Sequence, residues 1–225
     1  MSTRTSRPTR WGPVLIVALS LLVGGCSVDG EATAGGGADL SPLAVAPADF
    51  PAGTATRLPA PAVPAALADL TGRPLHGSVD PADCTPHQVP ADGAAILVGP
   101  DPATSTATFT AAVVHVDDEL AQVTELAERC ARTTTGAAPT ATSTVLTEVM
   151  PAPERGSVDT SALRRRMTTG GGEAPLITAT TTLLAQQDGI RVIVEYRQQG
   201  AGPMTAETGA ALDELFDKAV TAAFG

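Results

Sequence analysis

Leu176-Ile177-Thr178-Ala179-Thr180-Thr181-Thr182-Leu183-Leu184-Ala185-Gln186-Gln187-Asp188-Gly189-Ile190-Arg191-Val192-Ile193-Val194-Glu195-Tyr196-Arg197-Gln198 is the stretch that decides the fold. Two β-rich runs, Leu176–Gln187 and Ile190–Gln198, are split by Asp188-Gly189. That dipeptide is the strongest short-range signal for a tight hairpin turn. The second run alternates. Arg191, Glu195 and Arg197 fall on one side, and Val192, Val194 and Tyr196 on the other. Alternation of this kind suits an antiparallel sheet with one packed and one solvated face. An open face could receive a ligand; a merely wet face is the plainer expectation.

Working outward from the hairpin, Thr205 can cap a last helix whose inner face carries Leu212, Leu215, Phe216, Ala219, Val220 and Phe224. Upstream, Pro151 to Pro175 reads as a long polar excursion, and Thr140–Met150 as a Thr/Val-rich strand. Asp117 and Asp118 precede a helical pattern to about Arg132, with Leu120, Val123, Leu126, Ala127 and Cys130 on one face. Ala94–Gly99 and Thr106–Val116 read as strands, the second with Phe109, Ala111, Val113 and His115 on one face. Ala65–Leu70 forms a short helix ended by Gly72, after a strand through Arg57. The order is roughly β-α-β-β-α-β-β-β-α. Its tight connections favour antiparallel pairing. The expected class is α+β: a single twisted, mainly antiparallel sheet with helices packed on one face.

The N-terminus carries Arg4, Arg7 and Arg10, then an apolar segment from Val14 to Val23. That run is shorter than the roughly 20 residues of a membrane-crossing helix, and it has the build of a secretory signal. At Leu22-Val23-Gly24-Gly25-Cys26 the chain resembles bacterial lipoprotein precursors. The resemblance implies a signal peptide over 1–25, cleavage before Cys26, and acylation of Cys26. A Gly/Ala-rich tether over 26–48 and one α+β extracytoplasmic domain over 49–225 would follow. The protein would then sit lipid-anchored on the outer face of the cell membrane, held by its acyl chains.

The formal charge of the chain is −10, and loss of three arginines with the signal takes it to −13. Such a surface repels nucleic acid, so no nucleic-acid partner is expected. Beyond the signal the aromatic residues are Phe50, Phe109, Tyr196, Phe216 and Phe224, too few to spare for stacking platforms. Cys84 and Cys130 remain once Cys26 is acylated. In an oxidising compartment one disulfide between them is the default, with a metal or reactive thiol pair as the alternative. Cys84-Thr85-Pro86-His87 has a ligand-like spacing, but no second pair matches it. No cofactor and no metal are implied.

Few residues present themselves for chemistry. His115 lies inside a strand and is expected to be structural. Asp117-Asp118-Glu119 is read as the capping region of the following helix. No nucleophile or metalloprotease motif occurs, so an enzyme is not expected. Arg164-Arg165-Arg166 is the one basic cluster beyond the signal, and it could grip a phosphate, a lipid head group or an acidic partner.

At Phe50-Pro51-x-Gly53, at Cys84 and the strands after it, and at the helix ending Leu126-Ala127-Glu128-Arg129-Cys130, the chain resembles a group of actinobacterial lipoproteins. These are uncharacterised or of sensor-domain type, and are similar to the extracellular sensor domains of mycobacterial serine/threonine kinases. The resemblance implies an α+β fold with a cleft, a small-ligand role and no known reaction. Two functions are therefore weighed. The first is a non-catalytic binding or sensor-like module for a lipid or other small ligand, marked by an apolar pocket of ligand size. The second is an accessory interaction subunit of an envelope or secretion complex with an envelope protein partner, marked by an exposed apolar patch.

Overall fold

The computed structural model describes residues 37–137, 141–170 and 174–225. The expected signal peptide over 1–25, Cys26 and residues 27–36 of the expected tether lie outside the described residues.

The hairpin forms as its turn demands. Asp188 and Gly189 take φ of 51° and 74°, and Gln187 pairs with Ile190 across a two-residue loop. Both central residues at positive φ match the right-handed twist of the flanking strands. The strands are β1 (Thr56–Arg57), β2 (Ser78–Asp80), β3 (Ala95–Asp101), β4 (Thr104–His115), β5 (Arg132–Ala137), β6 (Ala141–Met150), β7 (Asp159–Thr169), β8 (Leu176–Gln187) and β9 (Ile190–Gln199). They form one nine-stranded sheet in the order β1-β3-β4-β9-β8-β7-β6-β5-β2. Every neighbouring pair is antiparallel. The helices are α1 (Val63–Thr71), α2 (Leu120–Arg129) and α3 (Ala206–Phe224). The class is α+β, with the Cys84–Cys130 disulfide closed.

Two helices share one face of the sheet. Val63, Leu67 and Leu70 of α1 and Leu120 of α2 pack with Ile96, Ala112, Leu163, Leu184 and Ile193. On the opposite face α3 buries Leu212, Leu215, Phe216, Ala219 and Val220 against Phe109, Ala111, Leu183, Val192, Val194 and Tyr196. Val192-Ile193-Val194 and Leu183-Leu184-Ala185 are unbroken apolar runs, as strands covered on both faces tend to be. The last helix starts as expected, with Thr205 Oγ1 accepting from the Thr208 backbone at 3.1 Å.

Several expectations change. The 151–175 stretch is not a polar excursion but contains β7, paired along its length with β8 and over 162–169 with β6. β2 and β5 were not expected, being short or Thr-rich without an apolar period. Residues 39–48 are not tether. Leu40 and Val45 are 3% and 4% exposed, and the Leu40 amide donates to Gly93 O at 2.8 Å. The folded body thus starts ahead of the boundary drawn at 49, because two apolar side chains there fill the core. Finally, the charged face of β9 is not wet. Arg191 and Glu195 are 3% and 1% exposed, because α1, α2 and the segment between α1 and β3 cover that face.

Candidate functional site: a cleft floored by buried charges

Strand alternation decides which arginine of the triplet faces inward. On β7, Leu163 packs under the α1/α2 layer, so Arg165 points the same way. Arg164 and Arg166 point to the opposite face, beyond the reach of α3, and are exposed. Among the described residues Arg164 pairs with Glu148 of β6, at 3.5 Å. The structure therefore divides the basic cluster, and a single member enters the interior.

Arg165 stands where three adjoining cavities meet. A cavity of about 250 Å³ lies between α1, α2 and the sheet, with Leu70, Val89, Leu126, Leu184 and Ile193 among its walls. A second of about 210 Å³ lies under the Gly72–Leu75 loop, against Val145, Met167, Thr178 and Thr180. A narrow space of about 70 Å³ beside the disulfide adjoins both. All three share Arg165 as a wall. Each alone is smaller than the roughly 300–1,000 Å³ of a usual small-ligand site, so a ligand of that size would span more than one of them.

The floor is held by two groups of charges. In the first, Glu195 Oε1 accepts from Arg197 Nε and Nη2 at 3.2 and 3.1 Å, and Oε2 accepts from Thr182 Oγ1 at 3.0 Å. Arg197 Nη2 also reaches Asp69 Oδ2 of α1 at 2.6 Å. Burial pushes the Glu195 carboxyl above its usual range, against the pull of Arg197 and Arg165. In the second, Arg191 Nη2 donates to Asp118 Oδ1 at 3.0 Å and to Gln186 Oε1 at 2.6 Å. His87 Nδ1 approaches the other Asp118 oxygen at 3.6 Å from the exposed rim. Burial lowers the Arg191 guanidinium, and Asp118 opposes that shift.

Arg165 is different. Its Nη1 donates to Leu70 O at 2.8 Å, and it has no ion-pair partner among the described residues. Burial lowers its guanidinium, with Glu195 and Asp69 acting against the shift from a distance. Gly72 ends α1 at φ 78° and makes room for it: a Cβ there would lie 3.2 Å from Arg165 Nη1. Directly across the β7–β8 ladder is Thr180, 9% exposed, whose hydroxyl has no hydrogen-bond partner.

Other expected residues resolve simply. His115 Nε2 bonds Ala38 O at 3.0 Å, a structural contact. The acidic trio does not cap α2 through a side chain, since Glu119 occupies the N-cap without such a bond. Asp118 turns to Arg191 instead, because a buried guanidinium holds a carboxylate more strongly than exposed amides do. The sequence reading missed Asp69 and Thr180, took Asp118 for a helix cap, and left Arg191 and Glu195 on a solvated face. Opposite charges at inward strand positions were the available signal. No group of three or more His, Cys, Asp or Glu side chains is placed to hold a metal ion among the described residues. Nor, among them, is any helix long and apolar enough to cross a membrane.

The architecture is thus a helix-covered antiparallel sheet with a charged cleft. Two solved structures resemble it at low identity. One is an uncharacterized protein from Mycobacterium smegmatis, the ortholog of Rv0999: 18% identity, TM-score 0.44, covering 76% of this chain and 85% of that one. The other is the extracellular domain of PknH from Mycobacterium tuberculosis: 13% identity, TM-score 0.40, covering 74% of this chain and 98% of that one. No protein-family model and no curated protein matches the chain.

Proposed function

We propose that this protein is a non-catalytic binding or sensor-like module of the cell envelope, tethered to the outer face of the membrane through acylated Cys26, and that its cleft holds a lipid or other small ligand. One observation carries the reading: adjoining cavities of about 250, 70 and 210 Å³ all have Arg165 in their walls. Apolar walls with a few convergent polar groups are the usual make-up of ligand pockets. The polar groups here supply binding and orientation, and the floor charges are held in ion pairs rather than poised beside a nucleophile.

The test is retention of a ligand. The protein is incubated with a membrane-lipid extract, repurified and weighed by native mass spectrometry. A discrete added mass is expected, and it would name the ligand class. A clean apo mass would count against lipid carriage and favour the accessory-subunit reading, with crosslinking in intact cells as the next step. Leu75, Leu146 and Leu176, at 58%, 43% and 61% exposure, are the apolar side chains such a partner would cover.

A further inference from the structure

We propose that Arg165 and Thr180 together form the docking point for an oxyanion, a carboxylate or a phosphate, borne at the end of an apolar chain that lies in the cleft. The inference rests on the reading of the cleft as a ligand site, and it adds the chemistry of the ligand's polar end.

A guanidinium carries five N–H donors in a fixed fork. Arg165 uses Nη1 on Leu70 O and has no carboxylate partner among the described residues. The nearby acids are engaged elsewhere. Both Glu195 oxygens are taken by Arg197 and Thr182, and Asp69 is drawn to Arg197. Thr180 pairs with Arg165 across the ladder, so both side chains rise from the same face into the same space. Its hydroxyl is buried and unpartnered, an unusual state for a native polar group. Two neighbouring donors without acceptors define a place for oxygen atoms. A carboxylate or phosphate could take two N–H bonds from the fork, and a third once the Thr180 side chain turns its buried hydroxyl towards the cavity. The walls beyond are apolar: Met167 and Val145 on one side, Leu70, Leu126 and Leu184 on the other. A ligand with a bare anionic end and an aliphatic body matches both halves.

The full chain carrying Cys26→Ser, which cannot take a lipid, is titrated with octanoate, octyl phosphate, octanol and inorganic phosphate by calorimetry. One or both amphiphilic anions should bind at least about tenfold more tightly than octanol, the difference expected of charge-assisted bonds. The stronger of the two identifies the head group. Arg165→Met should bring the anions down to the octanol level and leave octanol unchanged. Thr180→Val should weaken the anions severalfold and yet raise the melting temperature of the free protein, because it removes an unsatisfied buried hydroxyl. A structural role alone would not give those opposite signs. Octanol binding as tightly as the anions, with neither variant altering the order, overturns the docking point and leaves the ligand-binding reading standing. Inorganic phosphate binding as tightly as octyl phosphate overturns the amphipathic part. No binding by any probe counts against both. Arg165→Lys keeps the charge without the fork and serves where Arg165→Met unfolds; intact carboxylate affinity in that variant would also refute the geometry.

Discussion

Tyr196 is the one tyrosine of the chain, which makes it a direct reporter of the α3 side of the sheet. It is 4% exposed, its ring sits 5.0 Å from that of Phe109, and its hydroxyl donates to Asp101 Oδ2 at 2.9 Å. Burial, reinforced by the Asp101 carboxylate, pushes its phenol up to about 12. The near-ultraviolet tyrosinate signal of the native protein should therefore rise only towards pH about 12. In denaturant it should rise near the ordinary value of about 10. Between those points the unfolded chain gives up the proton first. The stability present below pH about 10 is thus lost as pH climbs through the native value. Tyr196→Phe should remove that alkaline loss, while at neutral pH it costs roughly 1–3 kcal/mol by depriving buried Asp101 of a donor. A native-state rise near pH 10 would mean that the hydroxyl is in water.

β7 shows how an element sets the meaning of a motif. Three consecutive arginines look like one basic patch, but on a strand successive side chains leave by opposite faces. Only Arg165 belongs to the cleft. Arg164→Ala with Arg166→Ala should leave ligand retention in native mass spectrometry unchanged and shift stability by no more than about 0.5 kcal/mol, as exposed substitutions usually do. Loss of the bound mass in that double variant would place the site on the other face. The strand was illegible for a physical reason. In Asp159–Thr169 the face away from the cleft carries Thr160, Arg164, Arg166 and Thr168 beside buried Ala162, and the inward face sets Ser161 and Arg165 on either side of Leu163, so no apolar period survives. β5, Arg132–Ala137, is hidden in the same way by threonines. The β8–β9 hairpin, α2 and α3 were legible because each carries a turn signal, an apolar stripe or a cap that acts locally. Of the site, the sequence pointed to the triplet and to the charged positions of β9. What it could not supply was the layer above them. Arg191 and Glu195 alternate as solvated residues would, and only the chain passing over them makes them buried.

At the scale of the molecule the sheet divides two duties. Its α3 face is an apolar core with Tyr196 and Asp101 at its edge, and its α1/α2 face carries the charges and the cavities. The disulfide belongs wholly to the second. Cys84 ends the single turn after β2, and Cys130 ends α2 against Val79 and Leu126. The bond ties the cleft's outer wall to its helix and lines the narrow space between the two larger cavities. With a sequence separation of 46, loop closure in the chain-entropy model contributes about 4 kcal/mol, and removal of native disulfides commonly costs about 2–5 kcal/mol. Cys84→Ser with Cys130→Ser should lower the denaturant midpoint accordingly. The two faces should also respond unequally under native conditions. Without the tie the segment over Arg165 is free to lift, so ligand retention falls. The α3 face has lost no contact, so the Tyr196 titration stays near pH about 12. Parallel loss of both signals would instead mean that the cleft wall and the core unfold as one unit, and that the disulfide supports the whole sheet rather than the site.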